Sequence, residues 1–493
     1  MHRESATSAG SSSGNDLILK KAHQSMTSYP FRSALDLLNA IASKEISPVE
    51  VVTAAIDRMQ SLEPQLNAFV TQTPELALSA ARAAEKAVMA GEKLGALHGL
   101  PISVKDLISV GGVRQTFGSR VMAENIAASD SPSVERIKAA GACIIGTTTT
   151  SEFGCKAVGD SPMTGITRNP WNLGKTPGGS SCGAAASVAA GVTPFALGTD
   201  GGGSIRTPAS FTGLVGIKAQ FARVPVFPTS ATPTLAHVGP LARTVRDSAL
   251  LLRVLSGFDR RDPFSLSSDV PDYLAACELP VKGMRVAWSP TLGFAKPDSE
   301  ILQITENAVR ILEKLGCEVI QLEEGVGIDP ANIWLSEFYA GISTRLSGAM
   351  RDSRDLLDPA LCEVLETAKG QSFSSYYENV FARYAFREKV SALFESFDLL
   401  LSPTVPIAAC DVGVDVPPQF VGRSLCTWQY YTYPFNVTGQ PAASVPVGFT
   451  AAGLPVGLQI VAKVNQEKDI FRAACALEGE QCLWNTVPPR FAQ

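Results

Sequence analysis

A chain of 493 residues that is 45% hydrophobic and 18% charged has enough apolar side chain for a large core, which excludes global disorder. A formal net charge of −5 offers no basic footprint for nucleic acid. No apolar run approaches the roughly 20 residues of a membrane span.

Length alone suggests two to four domains. The first 16 residues are rich in Ser and Gly and lack an apolar h-region. They read as the start of a disordered tail over 1–28 rather than as a signal peptide. The ten cysteines stand singly, with no CxxC pair. That argues against a zinc site and for free thiols in a reducing cytoplasm. Of four histidines, His2 and His23 fall in the tail region, which leaves His98 and His237 for any chemistry.

The first elements are packing elements. Apolar residues at helical spacing over 31–43 predict a helix. Ser47-Pro48-Val49-Glu50 opens a second, with Ser as cap, Pro in the first helical position and Glu closing a capping box. A third is predicted over 76–89, broken by Gly91 and Gly95. Then 98–106 reads as an alternating apolar strand that delivers Lys105. A lysine at the end of a buried strand either pairs with a neighbour such as Asp106 or does chemistry, because an unpaired buried ammonium is costly. A loop over 116–119, a helix over 133–140 and a strand over 142–146 follow. Gly174-Lys175-Thr176 is not a P-loop, because the required earlier glycine is Asn169.

The stretch 176–209 is the most informative. Ser180 follows Gly178-Gly179 and precedes a run of small residues to Gly191. An apolar strand, 194–198, leads to Gly198-Thr199-Asp200 and then to Gly201-Gly202-Gly203-Ser204. Such a turn is either a loose glycine loop or a nest whose N–H groups converge on an anion beside the serine oxygen. The second arrangement is what a nucleophile with a developing oxyanion needs.

Beyond it, strands are predicted at 213–218, 284–290, 317–322, 397–404 and 454–461, with helices beginning at Asp247 and covering 299–315 and 467–478. The alternation implies an α/β layer architecture. Residues 330–395 are more helical and less patterned.

With these residues in view, the chain resembles the amidase signature family. The resemblance rests on Gly178-Gly179-Ser180-Ser181, the small-residue run, Gly198-Thr199-Asp200 and Gly202-Gly203-Ser204-Ile205-Arg206 with Pro208-Ala209. It extends to the segment ending in Lys105, to His237–Asp247, and to the pieces near 434–461, so it covers about 30–490. Cys182 departs from the family's usual glycine, and Gly201 is at a variable position. The fold implied is a single large α/β/α domain, 29–493, with a central mixed β-sheet flanked by helices and 330–395 covering the pocket.

The activity implied is hydrolysis of a carboxylic amide to a carboxylate and an amine or ammonia, through an acyl-enzyme. Ser204 would be the nucleophile. Ser180, on a cis peptide in the family, would relay the proton, and Lys105 would be the base and then the acid. The backbone N–H groups of Gly201, Gly202, Gly203 and Ser204 would hold the oxyanion, supported by Ser181, Thr199, Asp200 and Arg206. Cys155, Met163, Trp171, Trp428, Tyr430 and Tyr431 are the candidate pocket residues; His98 and His237 are read as structural and Cys182 as a filler. The resemblance implies no metal or organic cofactor and a small-molecule amide as partner, with no nucleic acid and no membrane span; it admits a homodimer. Alternatives within it are the glutaminase component of a tRNA amidotransferase complex and a carbamate or ester hydrolase.

Overall fold

Eleven strands form one mixed sheet in the computed structural model, which describes residues 29–492. In chain order they are β1 (Phe69–Gln72), β2 (Pro101–Lys105), β3 (Cys143–Thr148), β4 (Phe195–Asp200), β5 (Val215–Lys218) and β6 (His237–Ala242). The second half adds β7 (Arg285–Trp288), β8 (Glu318–Gln321), β9 (Leu399–Pro403), β10 (Ala442–Phe449) and β11 (Pro455–Ala462). The spatial order is β1-β3-β2-β4-β6-β5-β10-β11-β9-β7-β8. β2 lies parallel to both β3 and β4, whereas β4–β6, β6–β5, β5–β10 and β10–β11 are antiparallel. The sheet runs through the whole described chain, with helices packed against it. The expectation for 1–28 lies outside the described residues.

Local signals in the sequence account for the flanking helices. Ser47 accepts from Val49 N while Glu50 accepts from Ser47 N at 2.8 Å, the capping box expected at Pro48–Leu66. Gly91 ends Pro74–Ala90 in the left-handed conformation. Thr244 caps Val245–Leu255, one turn before the expected start at Asp247, because its side chain accepts from Asp247 N. No described helix is long and apolar enough to cross a membrane.

Two features of the sheet position the chemistry. β2 is buried at all five positions and runs parallel to β4, so Lys105 and Asp200 end their strands at the same edge. Crevices at the carboxyl ends of parallel strands are the usual ligand sites of α/β sheets. The small-residue run forms the helix Cys182–Ala189, buried throughout. Ala184, Ala185, Val188 and Ala189 share an apolar cluster with Ile205, Ala209 and Leu241. Small side chains allow this close approach, and it brings the turn at Ser180 beside the turn at Ser204, where Ser181 N donates to Ser204 O at 3.2 Å.

Candidate active site

Lys105 is fully buried, and its ammonium reaches three hydroxyls: Ser180 Oγ at 2.7 Å, Thr199 Oγ1 at 2.8 Å and Ser181 Oγ at 3.0 Å. It does not pair with Asp106, whose carboxylate instead accepts from Thr116 N at 2.9 Å and Thr116 Oγ1 at 2.6 Å. Burial pulls the Lys105 ammonium down to about 7, although Cys182 and Asp200 act in the opposite sense. A lysine with no carboxylate partner, surrounded by hydroxyls, is poised to exchange a proton near neutrality.

The Gly179–Ser180 peptide is cis. Ser180 and Ser204 both line one cavity of about 530 Å³, within the range of small-molecule sites. Ser204 is half-buried, and no hydrogen bond joins its hydroxyl to Ser180 or Lys105 among the described residues. Hydroxyl contacts of this kind commonly tighten only when substrate is bound.

A buried ion pair holds the glycine turn. Arg206 donates from Nε to Asp200 Oδ2 at 3.0 Å and from Nη2 to Asp200 Oδ1 at 2.9 Å. Its remaining donors reach Thr432 O, Gln459 Oε1 and Asn436 Oδ1. Burial alone would raise the Asp200 carboxyl, but Arg206 and Asn436 reverse this and hold it well below the usual range. Asp200 then organises the turn, accepting from Gly203 N at 2.8 Å and Ile205 N at 3.2 Å. One expected oxyanion donor is already committed: the Gly203 N–H is engaged by Asp200, which leaves Gly201, Gly202 and Ser204 of the four expected N–H groups. Gly203 has φ +138°, and an added Cβ would press on Thr432 and lie 2.8 Å from Gln429 Oε1. Only glycine suits that position. Removing Arg206 would leave a buried, unpaired carboxylate. Arg206→Ala is expected to destabilise the fold by about 3–5 kcal/mol, seen as a lower urea midpoint by circular dichroism. An unchanged midpoint would show that the pair does not hold this turn.

The cavity wall differs from the sequence-based expectation. None of the six candidate pocket residues is among the residues that line it. Cys155 is fully buried in the apolar cluster around Trp334. Met163 sits between the short strands Asp160–Ser161 and Gly165–Ile166. Trp171 donates to Thr212 O at 2.8 Å and packs on Phe449. Trp428 stacks on Phe420, Tyr430 lies under the Arg423 guanidinium, and Tyr431 donates to Pro290 O at 2.8 Å. Large amphipathic rings often bury the apolar face and pair the polar tip; Trp171 and Tyr431 do both, whereas the buried Trp428 Nε1 has no partner among the described residues. The wall is built instead by Leu107, Phe117, Phe153, Phe227, Phe338 and Ile342, among others. Phe338 and Ile342 stand four apart on the helix Ala331–Arg345, a spacing visible in the sequence. Phe117 belongs to the loop already singled out.

Neither histidine hydrogen-bonds Lys105, Ser180 or Ser204 among the described residues, although His237 lines the cavity. His98 Nε2 lies 3.0 Å from Ala84 O. His237 Nδ1 lies 2.8 Å from Leu235 O and 3.1 Å from Asp200 O, two acceptors, so Nδ1 carries the proton. Burial, reinforced by Lys218, drives the His237 imidazolium well below its ordinary pKa. Cys182 is buried, and its thiol donates to Thr149 O at 3.3 Å. Burial raises its pKa, so it stays a thiol. Cys182→Ala is expected to keep activity within about threefold of wild type, because a buried neutral thiol is a poor nucleophile. A loss as deep as that from Ser204→Ala would overturn this.

Comparison with known proteins places the chain in a family. The Amidase family model matches residues 50–471. An acylamidase of Rhodococcus erythropolis is 35% identical over 452 residues, covering 90% of this chain and 94% of that protein. A glutamyl-tRNA(Gln) amidotransferase subunit from Carboxydothermus hydrogenoformans is 34% identical over 477 residues, covering 91% and 97%. Among solved structures, a bacterial aryl acylamidase of the amidase signature enzymes superposes with TM-score 0.87 at 30% identity, covering 94% of this chain and 98% of that one. A 6-aminohexanoate cyclic dimer hydrolase complexed with substrate superposes with TM-score 0.86 at 28% identity, covering 94% and 100%.

Proposed function

This chain belongs to the amidase signature family, and from that premise we propose how it works as an amidohydrolase of non-peptide C–N bonds. The observation that carries the assignment is the buried Lys105 in contact with Ser180, at the edge of a cavity that Ser204 also lines. Ser204 Oγ attacks the amide carbonyl. Its proton passes to Ser180 Oγ as the Ser180 proton passes to neutral Lys105. The oxyanion develops against the N–H groups of Gly201, Gly202 and Ser204, which are preorganised by the Asp200–Arg206 pair. Lys105 returns the proton through Ser180 to the departing amine, leaving an acyl-enzyme on Ser204. Water then attacks by the same relay, releases the carboxylate and regenerates Ser204.

The substrate is a neutral amide with apolar substituents. Among the described lining residues the charged side chains are Asp200, committed to Arg206, and Arg345, exposed and donating to Thr229 O at 2.9 Å. A glutaminase must hold an α-ammonium, and among the described residues no uncommitted carboxylate lines this cavity to do so. That favours the acylamidase reading over the amidotransferase one, although relatives of both kinds exist. All ten cysteines are free thiols, which supports a reducing, cytoplasmic setting. The family resemblance admits a homodimer, and light scattering on the purified chain reads it. The test of function is a panel of matched aryl amides, esters and carbamates with the purified chain alone. Amide turnover without a partner is expected. Hydrolysis of glutamine alone, and only with an added partner, would move the assignment to the amidotransferase complex.

A further inference from the structure

Part of the cavity wall has no role in the reaction just described. Gln115 lines the cavity and is 4% exposed. Its backbone is pinned twice to Asn125: Gln115 N donates to Asn125 O at 2.9 Å, and Asn125 Nδ2 donates to Gln115 O at 2.9 Å. Its side chain belongs to a polar patch in a largely apolar wall. Ser109 Oγ donates to Gln115 Oε1 at 3.0 Å, and Ser109 O accepts from Ser131 N at 2.9 Å. The hydroxyls of Ser131 and Ser133 lie 3.1 Å apart. All four residues line the cavity.

The patch is not closed on itself. Gln115 Nε2 is buried and has no hydrogen-bond partner among the described residues. A primary amide presents two donors at one end and a carbonyl at the other, and Ser109 meets one end only. Turning the amide over would set Nε2 on Ser109 Oγ and leave the carbonyl unpaired instead, so one end is unmet in either orientation. Buried polar groups in folded proteins are nearly all paired. An unmet one beside a substrate cavity marks a place where a ligand group completes the pairing, after a small swing of a flexible side chain.

We propose that Gln115, oriented by Ser109, is a specificity-determining residue that donates a hydrogen bond to a second carbonyl oxygen of the substrate, away from the scissile bond. The recognised group is neutral: a ketone, ester or second amide carbonyl. A carboxylate there would find no countercharge, since the two charged lining residues stand outside this patch. The inference rests on Ser204 acting in this same cavity.

The experiment uses the full-length enzyme and two series of anilides of matched length. In one series a methylene of the acyl chain is replaced by a ketone; in the other the replacement is in the N-substituent. In one of the two, wild type is expected to favour the ketone over the methylene compound by about tenfold in kcat/KM, the worth of one neutral hydrogen bond. Gln115→Met keeps the length without the amide, and Gln115→Glu keeps the shape without the N–H donors. Both are expected to bring that ratio to about one. The ratio is read within each variant, so a general loss of activity does not imitate the effect, and circular dichroism melting confirms that each variant is folded. A wild-type ratio near one in both series, or a preference that either variant retains, would overturn the proposal. If neither series is hydrolysed and Ser204 resists a fluorophosphonate, the amidase assignment fails and this inference falls with it; if amides turn over without a ketone preference, only this inference fails.

Discussion

Ser204→Ala is expected to lower kcat on an aryl amide by roughly 10⁴-fold or more, with the melting curve little changed. The expectation follows from what the side chain does and does not touch. The Ser204 carbonyl, not its hydroxyl, helps to hold the two serine turns together, through Ser181 N at 3.2 Å. Ser204 lines the cavity, and its hydroxyl has no hydrogen bond among the described residues. Removing it therefore takes away the proposed nucleophile without opening a buried network. Intact-protein mass after brief fluorophosphonate treatment checks the assignment directly. Wild type should gain a single adduct that maps to Ser204, and the alanine variant none. An adduct on another residue, or an alanine variant within about tenfold of wild type, would mean that the covalent step lies elsewhere.

Lys105 sets the second large effect, and its sign follows from the direction of its pKa shift. The relay needs a neutral amine to accept a proton, and burial brings the Lys105 ammonium down to about 7. With an uncharged substrate, kcat/KM should fall by about tenfold per pH unit below that value, as the lysine becomes protonated, and level off above it. The Asp200 carboxyl, held far below its ordinary range by Arg206, contributes no limb in the same interval. Lys105→Met should lose roughly 10⁴-fold in kcat and also lose the acidic limb. Lys105→Arg should fare no better: a guanidinium stays protonated and cannot serve as the base. A pH profile that is flat from about pH 5.5 to about pH 8.5 would remove Lys105 from the role of base. So would a Lys105→Met enzyme that keeps the wild-type profile.

These predictions draw on residues that a single sequence singles out. Lys105, Ser180, Ser204, Asp200 and Arg206 lie in short segments where glycine, serine and charge occur in patterns that ordinary packing does not require. Local chemistry was legible in the same way for the capping box at Ser47–Glu50 and for the strands on either side of the glycine turn. The strand order was not, because β2 lies between β3 and β4, and β5 between β6 and β10, by pairings that cross long stretches of chain. The cavity wall was the least legible. Aromatic residues near 428–431 were expected there, but they pack on Phe420, lie under Arg423 or donate to Pro290 O. The wall comes instead from Phe117, Phe153, Phe227 and Phe338, which meet only in three dimensions.

The sequence by itself determined the family, the mixed α/β architecture and the serine and lysine residues of the proposed relay, because these reside in local motifs whose backbone needs are met by their own residues. Tertiary structure alone decided three further things. It placed Lys105 among hydroxyls instead of beside the Asp106 carboxylate, which leaves it free to lose its proton. It committed the Gly203 N–H to Asp200, which narrows the proposed oxyanion donors to Gly201, Gly202 and Ser204. It also left the buried Gln115 Nε2 without a hydrogen-bond partner, on a residue that lines the cavity. Each depends on which groups a side chain meets across distant segments, and burial and hydrogen-bond partnership of that kind are properties of the packed chain rather than of any stretch within it.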